Sequence, residues 1–199
     1  MSISNYGGKM SEFQTYLQLG FDHISDLNAY DHIVFIIALC AAYPLNRWRS
    51  VILFVTAFTV GHSITLALAT LHLLVVPSNL VETLIPVTIL ATCFLNIFKP
   101  FGGKLGGKTS YVLALLFGLI HGLGFSNYLR ALLGGEESII APLFFFNIGL
   151  ELGQLMILAL FAGVAFVFLR LLGISHRRWN IFISGAAAGI SVMLLLGTN

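Results

Sequence analysis

Ser50–His72 reads SVILFVTAFTVGHSITLALATLH, without a single Asp, Glu, Lys or Arg. A run of about 20 apolar residues is the length that crosses the hydrocarbon core of a bilayer as a helix. Lipid leaves only helices and closed barrels as spanning structures. Barrel strands alternate in polarity, and this stretch does not. It therefore predicts a membrane helix with His62 near its middle.

Similar runs occupy nearly all the rest of the chain. Apolar stretches fall at about 29–45, 79–98, 110–131, 139–170 and 179–197. With 50–72 they make about six transmembrane helices. Of the 199 residues only 9% are charged, against about 25% in soluble domains. The expected fold class is all-α: a polytopic membrane helical bundle in which residues 29–199 form a single transmembrane domain. Residues 1–28 are read as an N-terminal interfacial segment. They lack the basic start, apolar core and cleavage site of a signal peptide. Within them Phe13, Leu17, Phe21 and Ile24 recur near helical spacing beside Gln14, Gln18 and Asp22. That pattern predicts a short amphipathic helix at the membrane surface.

Charge sets an orientation. Arg47 and Arg49, then Lys99, Lys104 and Lys108, then Arg170, Arg177 and Arg178 fall in alternate loops. The other loops carry Glu82, Glu136 and Glu137, and the N-terminal segment carries Glu12, Asp22 and Asp26. By the positive-inside rule the basic loops face the cytoplasm. Both termini then lie on the outer side, whose acidic character favours cation capture. Integral placement in a bacterial inner (cytoplasmic) membrane is the corresponding expectation. A net charge of +2 is too small to imply nucleic-acid binding. Cys40 and Cys93 sit on different helices and are expected as apolar packers, not as a disulfide.

Ionisable groups inside membrane helices are costly and mark function. At about 1.5 Å per residue, counted from the nearest basic residue, His62 and His121 lie roughly 20 Å above the cytoplasmic side. His32 lies roughly 22 Å above it and Glu151 roughly 28 Å by the same count. Four helices therefore place ionisable groups in one layer, and convergence on a shared site is the simplest explanation. His32, His62 and His121 are the expected metal ligands, with Asp31 as fourth partner. An alternative role for Asp31 is to cap its helix. Thr59, His62 and Ser63 share a face by spacing. Asn147, Glu151 and Gln154 form a second polar stripe. Thr59, Asn147 and Gln154 are expected to orient the groups around the ion, and Glu151 to act beside it as acid or base. His23 and His72 are read as interfacial, and His176 as part of a basic loop.

The strings DHIVF (31–35), TAFTVGHSITL (56–66), FGLIHGLGF (117–125) and FNIGLELGQ (146–154) together resemble the HupE/UreJ family of membrane proteins. Glu82 also fits the pattern. The resemblance implies accessory functions for hydrogenase or urease, and some members are regarded as nickel or cobalt permeases. It also implies that the helix-1 Asp and His matter for metal handling. Members near nickel genes carry a His closer to Asp-His than His23 is to Asp31-His32.

Two functions and a bland third follow. Imidazole and carboxylate suit nickel, cobalt or zinc, so divalent-metal transport or accessory metal handling leads. The rival is an intramembrane zinc-dependent hydrolase acting on a lipid or a membrane-embedded amide. There three His would leave one open position on the metal, Glu151 would serve as acid/base and Ser63 would bond an oxyanion. The third is a structural or accessory membrane protein without metal. The expected partners are the lipid bilayer and a metal ion. No nucleophile elbow, phosphate loop or CxxC pair supports other chemistries. A reporter fused at Asn199 is expected to be active on the outer side; activity confined to the cytoplasm refutes the orientation.

Overall fold

The computed structural model describes residues 11–28, 30–98, 108–133 and 138–197. Among these residues every regular element is helical. In chain order the α-helices are α1 (Glu12–Ser25), α2 (Asp31–Ala41), α3 (Trp48–Thr70), α4 (Ser78–Phe98), α5 (Lys108–Gly124), α6 (Ser126–Leu133), α7 (Ile140–Phe166) and α8 (His176–Leu195), with a 3-10 turn at Leu45–Arg47 and a π turn at Val167–Leu171. Lys99, Lys104, Glu136, Glu137 and Asn199, which enter the orientation argument, lie outside the described residues.

Four helices are long and apolar enough to cross a membrane: Leu45–Thr70, Ser78–Phe98, Ile140–Leu171 and His176–Leu195. The other two expected spans come out shorter. α2 covers only 11 residues, because Pro44 follows and the residue before a proline is pushed out of the helical region. The expected 110–131 span breaks at Gly124, and α6 follows as a separate amphipathic helix. At that break the Ser126 hydroxyl donates to the Leu123 carbonyl.

The N-terminal helix forms with a capping box at Ser11. The Ser11 hydroxyl accepts from the Gln14 amide while the Gln14 side chain accepts from the Ser11 amide. Its buried stripe of Tyr16, Gly20 and Ile24 is laid along α7, and Phe13 meets Phe145 edge-on at 4.7 Å. The amphipathic face is thus covered by protein.

Glycines set how closely the helices approach. A methyl added at Gly118 would strike the Phe58 carbonyl, at Gly61 the Leu115 carbonyl, and at Gly122 the His62 carbonyl. These three lock α3 to α5 backbone against backbone, the small-residue packing that serves helices in lipid. A second seam joins α1 to α7, where Gly20 meets the Phe146 carbonyl and Gly149 meets the Leu17 carbonyl. α2 sits among these pairs and touches α1, α3, α4, α7 and α8. Its Phe35 stacks on Phe58 at 5.0 Å. On its other side Asn96 of α4 donates to the Ala38 carbonyl at 2.7 Å, and Asn180 of α8 donates to the Asn96 carbonyl at 2.8 Å. Cys40 and Cys93 are buried, free thiols.

The seams predict opposite outcomes at two kinds of glycine. Gly118→Leu drives a side chain into backbone and is expected to destabilise the bundle by about 1–3 kcal/mol or more. Gly189, on α8, has nothing within 4 Å of an added Cβ, so Gly189→Ala is expected to be neutral or stabilising. Thermal unfolding of the two variants in detergent checks the contrast.

Candidate metal centre

Four helices deliver one imidazole each. His23 lies in the last turn of α1, His32 in the first turn of α2, His62 within α3 and His121 near the end of α5. The link from α1 to α2 is a tight turn in which the Asp26 carboxylate accepts from the Asn28 amide at 2.8 Å and from its side chain at 3.0 Å. That reversal brings His23 back onto His32, with ring centroids 4.8 Å apart. His23 is 5.8 Å from His62 and His32 is 6.0 Å from His62. His121 lies 5.3 Å from His32, but the nitrogens that gather are those of His23, His32 and His62, so of the expected ligands His121 and Asp31 stand beside the set.

One ring nitrogen from each of His23, His32 and His62 lies within 4.8 Å of the others. Nitrogens shared by one tetrahedral ion at ~2.0–2.1 Å stand about 3.3 Å apart. Small side-chain rotations therefore close the set. His32, His62 and His121 are 5%, 0% and 1% exposed. Both ring nitrogens of His62 and the Nε2 atoms of His23, His32 and His121 are buried without a hydrogen-bond partner. Each such group costs roughly 1–3 kcal/mol when left unsatisfied. A bound cation resolves several of them at once, so the donor set fits a metal that prefers nitrogen.

The tautomers are prepared for this. Nδ1 of His121 sits 2.9 Å from the Phe117 carbonyl, so it carries the hydrogen and Nε2 keeps its lone pair. This is the usual way a backbone partner orients a metal-binding imidazole. Asp31 Oδ1 is 3.2 Å from Nδ1 of His32, off the line of a hydrogen bond. Asp31 thus backs His32 from the side away from Nε2.

The cluster lies at the side of a cavity of about 890 Å³ that His23, His32 and His121 help to line. Four carboxylates, those of Asp22, Asp26, Asp31 and Glu82, stand around it. Carboxylates gathered about a cleft concentrate cations there.

The other expected site residues form a different constellation. Thr56 donates to Glu151 at 2.6 Å, Thr59 to Gln154 at 2.6 Å, and Ser63 to Asn147 at 2.7 Å. These are rungs between α3 and α7, and their partners are one another. His62 and Ser63 are successive residues, so helical geometry turns them about 100° apart. His23 was the residue that spacing missed, since it lies outside the apolar spans. Its signal was Gly20, which lets α1 lie against α7. His72 is exposed, with φ 60°, and takes no part in the group.

Comparison with known proteins follows this geometry. No curated protein and no solved structure matches the chain. A family model described as HupE / UreJ protein matches residues 2–197. The match covers nearly the whole chain and includes every residue of both polar constellations, so the chain belongs to the HupE/UreJ protein family.

Proposed function

We propose that this protein is a membrane transporter or accessory handler of a divalent metal ion, with nickel, cobalt or zinc as its cargo. The observation that carries this reading is the convergence of buried, partnerless imidazole nitrogens from three helices, with His121 of a fourth beside them, at an acidic cavity. Family membership supports a nickel or cobalt role in particular. On this reading Asp22, Asp26 and Glu82 gather the ion, which then sheds water onto His23, His32, His62 and His121. Asp31 holds His32 in place and offsets part of the ion's charge. Imidazole suits borderline metals such as nickel, cobalt and zinc, whereas oxygen ligands alone would favour calcium or magnesium.

The proposed topology has six apolar helices in the membrane, α2 and α5 being the short ones, with α1 as an interfacial helix folded onto α7. Arg47 and Arg49 after α2, and Arg170, Arg177 and Arg178 between α7 and α8, support a cytoplasmic face on that side. Both termini and the acidic cavity then face outward, in the inner membrane of a bacterium.

A second reading is favoured by one observation: about 890 Å³ is far more room than a bare ion needs. A zinc-dependent hydrolase acting on a lipid or a membrane-embedded amide would use such space. The rungs of Glu151 with Thr56 and Ser63 with Asn147 weigh against it, since they commit the expected acid/base and oxyanion donor to the α3–α7 interface. Elemental analysis of the purified protein separates the two readings. Tightly held zinc favours the enzyme, and weak, exchangeable nickel or cobalt favours transport.

Two variants test the site itself. His62→Ala is expected to abolish stoichiometric nickel binding in calorimetry; full stoichiometry in this variant removes the site. Asp31→Asn keeps the shape but not the charge, and is expected to weaken binding about 10–100-fold, as loss of a ligand-orienting carboxylate does. Protons compete with the metal for each imidazole, so affinity in both wild type and Asp31→Asn falls as the pH is lowered.

A further inference from the structure

The basic end of the bundle, remote from the imidazoles, has arginines that nothing in the chain answers. Arg47, Arg49, Arg170, Arg177 and Arg178 are all exposed. Among the described residues none of them forms a salt bridge. Residues 32–81 and 152–199, which carry all five, contain no Asp or Glu. The positive-inside rule accounts for the sign of this charge. It does not account for what lies beside it.

A narrow apolar groove opens among these arginines. Its walls come from the end of α2, the start of α3, the second half of α7, the π turn and the start of α8. Trp48 and Trp179 both line it, and they are the only two tryptophans in the chain. Trp48 is 55% exposed, and the Arg49 guanidinium lies 5.3 Å over its ring. Trp179 follows Arg178 directly and is only 4% exposed. Phe161 and Phe168 hold its ring at 5.5 and 5.4 Å. Leu169, also in the wall, precedes Arg170 in the π turn. Such turns recur at functional sites.

The dimensions of the groove say what fits. Leu158 and Leu169 both line it, and eleven residues of helix rise about 16 Å. One leaflet supplies about half of the ~30 Å hydrocarbon core, so the groove is as deep as a leaflet. Its volume is about 50 Å³, against about 890 Å³ for the cavity beside the imidazoles. It suits something slender and apolar.

We propose that this groove is a specific lipid site, which takes one acyl chain of an anionic phospholipid and places its phosphate among the arginines. Guanidinium pairs with phosphate through two parallel hydrogen bonds. Basic pockets between membrane helices bind anionic headgroups, and tryptophan prefers the headgroup level. A neutral lipid would leave the five arginines unanswered. A soluble anion would make no use of an apolar slot one leaflet deep. The site requires that the chain lie in a bilayer and does not depend on the metal reading. In the orientation proposed above, its leaflet is the cytoplasmic one.

The test uses the full chain in phosphatidylcholine vesicles with a rising fraction of phosphatidylglycerol brominated in its acyl chains. Bromine quenches tryptophan fluorescence on close approach. Trp48→Phe leaves Trp179 as the reporter, and its burial shields it from lipid that merely surrounds the protein. In this protein, quenching is expected to saturate at a small fraction of brominated phosphatidylglycerol. Brominated phosphatidylcholine is expected to quench weakly, in proportion to its amount. Adding Arg49→Gln and Arg178→Gln is expected to raise the phosphatidylglycerol fraction needed for half-quenching about tenfold. Ala162→Phe, which puts a ring into the groove wall, is expected to remove the saturable quenching and keep nickel stoichiometry. Equal quenching of Trp179 by the two lipids, or none by either, overturns the proposal. So does saturable quenching that persists unchanged in the arginine variant.

Discussion

Backbone contact between helices is the constraint on which the rest depends. Imidazole is a short reach from its Cα, and ordinary helix pairs lie 8–10 Å apart. Ring centroids at 4.8–6.0 Å on separate helices require closer approach where the rings emerge. Gly122, beside His121, rests on the carbonyl of His62 itself. Gly20, three residues before His23, rests on α7. The glycines therefore help to hold the imidazole cluster together, although none belongs to it. Their cost is conformational entropy in helix interiors, offset by the contacts the two seams gain.

The structure also separates two kinds of polarity along α3. Ring nitrogens of His23, His32 and His62 gather within 4.8 Å of one another, whereas the α3–α7 residues pair across an interface. Nitrogen donors beside a carboxylate-lined cavity suit a borderline metal.

Much of this was legible in the residues. Long apolar runs announced the helices, and counting from the basic loops placed His32, His62 and His121 in one layer. The motifs at 31–35, 56–66, 117–125 and 146–154 carried the family. Depth, however, says nothing about direction around a helix axis. Glu151, expected in that layer, instead pairs with Thr56, six residues and so about 9 Å along α3 from His62, and Ser63 pairs with Asn147 while its neighbour His62 joins the cluster. Apolar content could not show that Pro44 would stop α2 early or that the chain would break at Gly124. His23 escaped because a polar-faced helix outside the apolar runs reads as a surface element; only packing on α7 brings it inward.

The shortness of α2 has an electrical consequence. Eleven residues make about 16 Å of helix, roughly half the ~30 Å hydrocarbon thickness. In the proposed orientation the cavity beside its first turn carries aqueous conductance partway through the bilayer. The transmembrane potential then drops mainly across the protein beneath the cluster. That potential is worth about 2.3 kcal/mol per elementary charge per 100 mV. Arrival of an ion at the imidazoles traverses little of this field. In the proposed transport its onward passage to the basic side would traverse nearly all of it, so membrane voltage would act on release more than on capture.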